Sequence, residues 1–438
     1  MIKQIVTSKY SKKYFSILEE KTTQQYAVSL DVNVGEKYQT IMGFGGAFTE
    51  AAGFTFSNLS KANQDKIIKA YFDPQIGLGY TLGRVSIHSC DFSLGNYTYV
   101  ETNDEELSTF NIERDHQYVL PMIQKAEEVS GKKIQLLASP WSPPAWMKDT
   151  NEMNNGGKLL PKYYQVWANY YALFIDEYKK IGKEVFAITV QNEPAATQVW
   201  DSCIYTKEEE RDFVKNYLGP TLRITHPDIK IIIWDHNRDI IVERADAVLS
   251  DQEARQYVWG TGLHWYGEEQ FENVGKVHAL HPDKHILFTE GCIEGGVHLG
   301  AWHTGERYAR NMIGDFNNFC EGYIDWNLLL NEMGGPNHVG NYCDAPIIGD
   351  TIKDELHFNS SYYYIGHFSK YVKPGAIRVK HISDFKGLQT VSFMNLDDTI
   401  VTIVMNETEN DISLKLTIED EEKLVVIERR SISTFIKE

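Results

Sequence analysis

Between about residue 40 and residue 370, short apolar runs alternate eight times with longer amphipathic stretches, and no other feature restricts the fold as much. The runs cover 41–48, 80–87, 134–138, 185–190, 231–235, 258–266, 286–289 and 323–328. Runs this short and this continuously apolar predict strands of a parallel sheet that is covered on both faces. The stretch after the third run places Tyr163, Val166, Trp167, Tyr170, Phe174 and Tyr178 in steps of three and four. That spacing is the apolar stripe of a helix lying on a sheet. Eight such units predict an α/β protein built on a (β/α)8 TIM barrel. A doubly wound open sheet could use the same units. It would need a Gly-rich phosphate loop or a switch-point crevice, and the chain has no GxGxxG.

At both ends the period changes to two. Tyr26, Val28, Leu30 and Val32 alternate with Ala27, Ser29 and Asp31, Val401, Ile403 and Met405 recur at every second position, and Ile412, Leu414, Leu416 and Ile418 alternate with Ser413, Lys415 and Thr417. Polar turns fall at Asp397-Asp398, Asn410-Asp411 and Glu421-Glu422. This is the pattern of antiparallel strands with one buried face. The expected organisation is a catalytic barrel over 39–372 and a small antiparallel β-sandwich formed from both termini, 1–38 and 373–438.

A net charge of −18 on 438 residues speaks against nucleic acid, whose binders neutralise phosphates with Lys and Arg, and against anionic membranes. A neutral ligand such as a sugar is compatible with it. Acidic runs such as Glu208-Glu209-Glu210 read as solvated turns. The N-terminus shows no apolar segment of the signal-peptide kind, and no apolar stretch reaches membrane-spanning length. Cys90, Cys203, Cys292, Cys320 and Cys343 are scattered without a CxxC. Free thiols in a reducing compartment, and hence a cytoplasmic location without a membrane anchor, are expected.

The C-terminal ends of barrel strands converge on the face where active sites are built. Glu193, in Gln191-Asn192-Glu193-Pro194, follows the fourth run and Glu290 follows the seventh. Two carboxylates on that face are what glycoside hydrolysis needs, one to give a proton and one to attack or to activate water. Taken singly, each has a plainer explanation, since carboxylates favour helix starts. The other strand ends strengthen the case: His88-Ser89-Cys90-Asp91, Trp141, His264-Trp265-Tyr266 and Asp325-Trp326-Asn327 offer aromatic planes for sugar faces and polar groups for hydroxyls. Asp91, His264 and Glu290 could also suggest a metal, but no HExxH or paired-His spacing supports one. No metal and no cofactor are expected.

In chain order, Gly43-Phe44-Gly45-Gly46-Ala47-Phe48-Thr49-Glu50, Ser89-Cys90-Asp91-Phe92-Ser93, Ser139-Pro140-Trp141-Ser142-Pro143, Asn192-Glu193-Pro194, His264-Trp265-Tyr266, Glu290-Gly291-Cys292, Asp325-Trp326-Asn327 and Gly334-Gly335-Pro336-Asn337 resemble glycoside hydrolase family 30, most closely its glucosylceramidase (acid β-glucosidase) branch. The resemblance implies a retaining, exo-acting β-glucosidase working by double displacement on a small-molecule or oligosaccharide β-glycoside. It implies that Glu193 is the acid/base and Glu290 the nucleophile. It also implies that Asp91, Trp141, Asn192, Trp326 and Asn341 hold the sugar, with Arg84, His264 and Tyr266 around the nucleophile. Two carboxyls about 5 Å apart do not both ionise freely, so one keeps a proton. β-Xylosidase, β-1,6-glucanase and β-fucosidase activities are the alternatives within the family. A carbohydrate-binding pseudoenzyme would lack one of the two glutamates, and both are present. Gln191, the segment 197–203 and His338 depart from the branch's pattern, the last two where a leaving group is expected.

Overall fold

The computed structural model describes residues 1–18 and 28–438, so Tyr26 lies outside the described residues. Eight parallel strands close a barrel: Gly43–Ala47, Leu82–Ile87, Gln135–Pro140, Glu184–Thr189, Lys230–Asn237, Val258–His264, His285–Glu290 and Gly322–Asp325. We call them barrel strands one to eight. The last pairs with the first, Tyr323 opposite Phe44 and Asp325 opposite Gly46, and that ladder excludes the open sheet. Leu82, Leu137, Ala187, Ile232, Leu287 and Ile324 fill the lumen with a fully buried layer. The glycines of strand one serve this closure. A Cβ on Gly45 would lie 2.0 Å from the Leu82 carbonyl oxygen of strand two.

The helix Tyr164–Lys180 buries Trp167, Tyr170, Phe174 and Tyr178, while Val166 is half-buried at the edge of the stripe. Removing each such side chain from water contributes roughly 1.5–3 kcal/mol. Tyr178 also donates to buried Asp115 at 2.8 Å, so the stripe satisfies a polar group as it packs.

Among the described residues, the two ends of the sequence form a continuous nine-stranded ladder. Its strands are Ile2–Ser8, Lys13–Leu18 and Val28–Thr40 from the N-terminus, and Ile377–Ser383, Gln389–Met394, Ile400–Asn406, Ile412–Ile418, Glu421–Ile427 and Ser431–Lys437 from the C-terminus. Leu30 and Val32 meet Leu414, Leu416, Val404 and Phe435 in a core separate from the barrel's. One pairing differs from the antiparallel expectation. Val28–Thr40 and Ile412–Ile418 run parallel, with Leu30 opposite Leu416. Strands from opposite ends of the chain share no hairpin, so no turn dictates their direction.

His367, on the last helix Ser360–Ser369, joins the two domains. Its Nδ1 lies 2.8 Å from the Thr434 hydroxyl and its Nε2 2.8 Å from that of Thr7. Burial takes its pKa down to about 3. A small sheet absent from the sequence expectation follows barrel strand eight: Leu330–Asn331, Ile347–Asp350 and Glu355–Phe358. It anchors both ends of the segment 332–346, which carries Asn337, His338, Asn341 and Cys343. Among the described residues, no helix is long and apolar enough to cross a membrane.

Candidate active site

Glu290 is the last residue of barrel strand seven. Glu193 lies beyond strand four, which ends at Thr189, rather than at the strand end as expected. The chain leaves the ladder there yet stays bonded to both neighbours: the Asn192 N–H donates to Pro140 O at 2.9 Å and the Glu193 N–H to Asp235 O at 3.1 Å. Glu193 takes φ +49°, a conformation that costs a non-glycine residue on the order of 1–3 kcal/mol. A carboxylate oxygen of Glu193, one of Glu290 and a ring nitrogen of His264 all lie within 4.8 Å of one another.

Arg84, from strand two, is fully buried beneath this pair. Its guanidinium donates to Glu290 Oε2 at 2.7 Å, Asp235 Oδ2 at 2.8 Å, Asn192 Oδ1 at 2.9 Å and Thr289 O at 3.0 Å. One side chain thus ties the ends of strands four, five and seven together. Tyr266 donates to the other oxygen, Glu290 Oε1, at 2.9 Å. Arg84 and His264, expected among the sugar-binding residues, do not line the cavity. Both point into the lumen from barrel strands and act from behind the carboxylates.

Asp235 escaped the sequence reading. Strand five is bulged at its end, where Trp234 pairs with Gly262 and His236, two residues on, pairs with the adjacent Leu263. Trp234 and Asp235 have φ of +69° and +53°. The bulge breaks the alternation, so Asp235 reaches Arg84 while the next residue, His236, lines the cleft. Burial alone would raise Asp235, but the charge of Arg84 and the bond to His264 hold it well below the usual carboxylate range. The only sequence signal was an acidic residue closing the fifth apolar run.

His264 Nε2 lies 2.9 Å from Asp235 Oδ1, and Nδ1 lies 3.5 Å from Glu193 Oε1. Burial would lower its pKa, but the Glu290 charge and the Asp235 bond raise it to about 9. Burial would likewise raise Glu193, yet the close approach of His264 holds it below the usual carboxylate range. Burial raises Glu290, against the charges of His264 and Arg84. The short bonds from Arg84 and Tyr266 nevertheless require a carboxylate there. The shifts of this coupled pair run toward a proton on His264 and away from one on Glu193, whereas the sequence reading expects one of the two carboxyls to keep it. Glu193, His264 and Glu290 are the donor set that a metal ion could use among the described residues. A protonated imidazole and a guanidinium 2.7 Å from Glu290 suit proton exchange better than metal ligation.

The cavity above the pair measures about 220 Å³. Asp91, Trp141, Asn192, Tyr266, Trp326 and Asn341 all line it. Trp141 and Trp326 stack at 5.1 Å, with the Arg84 guanidinium 4.9 Å from the Trp141 ring. Asp91 Oδ2 accepts from the amides of Asn337 and Asn341, each at 3.1 Å. Burial pushes Asp91 up to about 7 in spite of these bonds. On the other side, Gln198, Trp200, His236 and Asn237 form the wall.

The departures from the family pattern take specific places. Gln191 turns away and donates to Trp141 O at 2.6 Å. His338 does not line the cavity. Its Nε2 sits 3.0 Å from Asp201, which also accepts from Ser89 at 2.6 Å. Two of the deviating segments thus stitch one loop to another, and only Gln198 and Trp200 of 197–203 face the cleft.

The family model described as the glycosyl hydrolase family 30 TIM-barrel domain matches residues 41–372, and that of the family's beta sandwich domain matches 375–435. Lysosomal acid glucosylceramidase of Mus musculus is 37% identical over 401 residues, 87% of this chain and 78% of that protein. The crystal structure of SrfJ from Salmonella typhimurium is 37% identical, covers 100% of this chain and 99% of that one, and superposes with a TM-score of 0.93. The endo-beta1,6-glucanase BT3312 is 28% identical over 99% of both chains, with a TM-score of 0.89. The carboxylate pair thus stands in a barrel and sandwich that both match one family: the chain belongs to glycosyl hydrolase family 30 and is a glycoside hydrolase.

Proposed function

We propose that the protein is a retaining, exo-acting β-glucosidase. The observation that supports retention is the approach of one Glu193 and one Glu290 carboxylate oxygen to within 4.8 Å. Retaining enzymes hold their carboxyls about 5–5.5 Å apart, whereas inverting ones need about 6.5–9.5 Å for a water between them. Glu290 attacks the anomeric carbon. The proton held by His264 passes to Glu193 and on to the leaving oxygen. Water then enters, Glu193 takes one of its protons, and the resulting hydroxide breaks the bond to Glu290. Asn192, held by Arg84, is placed to bond the 2-hydroxyl, a contact that strengthens in the transition state.

A cavity of about 220 Å³ supports the removal of single sugars. Asp91 supports glucose over xylose, because a carboxylate gains from an added hydroxymethyl group. The test is a panel of aryl β-glycosides with NMR detection of the first anomer released. Glucoside should give the highest kcat/KM and the β-anomer first. A better xyloside or fucoside, or an α-anomer, would sink the assignment. The likeness to BT3312 favours β-1,6-glucan as the second reading. Release of glucose alone from that polymer would fit exo action, and mixed oligomers endo action.

The pH dependence of kcat/KM follows from the free enzyme's groups. It should rise as Asp91 ionises through about 7 and fall as His264 loses its proton through about 9. Asp91→Asn should lower kcat/KM roughly 10- to 100-fold, as for a lost hydrogen bond to a charged group, and flatten the acid limb. An unchanged acid limb in that variant would exclude Asp91 as its source. We also place the enzyme in the cytoplasm, which five buried, unpaired cysteines suit.

A further inference from the structure

His236 has no role in the mechanism above, yet the fold goes to some length to place it. The bulge in strand five sets it on the cleft side, next to Asp235, which faces inward. Its ring lies 5.0 Å from that of Trp234. Trp234 is itself fixed: its N–H donates to Glu210 at 2.7 Å, its indole to Asn237 O at 2.9 Å, and Arg244 covers it at 4.7 Å. His236 Nε2 is 3.7 Å from Glu193 Oε1. Its Nδ1 is buried without a hydrogen-bond partner among the described residues. Nothing else in the described structure draws on its polar atoms.

We propose that His236 is a positioning residue for Glu193 in the hydrolytic half of the reaction, resting on the assignment of Glu193 as acid/base. Once the leaving group has departed with the proton, Glu193 is a carboxylate facing a neutral His264. A small rotation brings Oε1 within reach of His236 Nε2–H, while Gln198 already contacts Oε2 at 3.3 Å. The carboxylate is then aimed at the incoming water. The titratable groups facing the ring are Glu193, His264, Asp239 and Asp235. Burial lowers the pKa of His236, so the ring is a neutral donor.

The test is His236→Phe, which keeps a ring on Trp234 and removes both nitrogens, compared with His236→Gln, which restores a donor near Nε2. The substrate is a dinitrophenyl β-glycoside of the sugar preferred by the wild type, whose leaving group makes hydrolysis of the glycosyl-enzyme limiting. The burst of dinitrophenolate counts folded sites, so misfolding lowers the burst and not the rate per site. For His236→Phe, kcat per site should fall about tenfold, as for one lost hydrogen bond to a carboxylate, with KM falling in step. Azide, a nucleophile that needs no general base, should restore turnover, and His236→Gln should recover most of it. A kcat within twofold of wild type, or a loss that azide leaves untouched, overturns the proposal. Glu193→Gln is run beside it. Without azide rescue there, the role of Glu193 falls and takes this one with it. With rescue there and a silent His236→Phe, only His236 falls.

Discussion

Glu290→Gln is expected to reduce turnover by on the order of 10⁵, about 7 kcal/mol of lost transition-state stabilisation. The amide is nearly the same shape and can still meet Tyr266, so binding should survive. What disappears is the negative charge that attacks the anomeric carbon. Arg84, now facing an amide, keeps its partner in Asp235 at 2.8 Å, so the fold should hold. The check is kcat on an activated aryl glycoside, with ligand binding followed by calorimetry. Azide should rescue nothing with retained stereochemistry, because no glycosyl-enzyme forms. A residual rate above about one-hundredth of wild type would remove Glu290 from the role of nucleophile.

The second large effect is structural. Arg84→Met leaves Asp235 and Glu290 buried without their cation. Breaking a buried ion pair from one side costs roughly 3–5 kcal/mol. Asn192 loses its donor as well, so turnover should fall by on the order of 10³ even in molecules that fold, a loss of about 4 kcal/mol from the transition state. Arg84→Lys separates the two contributions. An ammonium keeps the charge but not the planar fork, so stability should return in part and activity should not. Urea unfolding and kcat/KM measured on the same preparations give the answer. An unfolding midpoint for Arg84→Met equal to wild type would mean that the guanidinium is not what holds the two carboxylates.

The barrel was legible because its signals are local. Eight apolar runs and the aromatic stripe of Tyr164–Lys180 each declare their element within a few residues. Glu193 and Glu290 were legible for the same reason, as carboxylates following such runs. What stayed hidden depends on partners distant in sequence. The bulge at Asp235 exists only in register with Val258–His264 and breaks the alternation that a sequence reader counts on. The depth of Arg84 and His264 in the lumen separates them from the cavity, and pattern alone does not report depth. His338 looked like a cleft residue because its neighbours in the chain are. Its true partner, Asp201, belongs to a loop 137 residues earlier.

The junction at His367 bears on how the chain is made. Ile2–Ser8 pairs with Ser431–Lys437 along its whole length, and Thr7 and Thr434 close on the same imidazole. At about 5–20 residues per second, synthesis of the stretch between these two strands takes tens of seconds. For that time Ile2–Ser8 has an unpaired edge, and the neighbour it needs, Ser431–Lys437, is made only after the whole barrel. The barrel can assemble meanwhile, but the sandwich waits for Ser431–Lys437. Losing Ser431–Lys437 would therefore strip Ile2–Ser8 of its partner, and damage to either strand would be felt at the other.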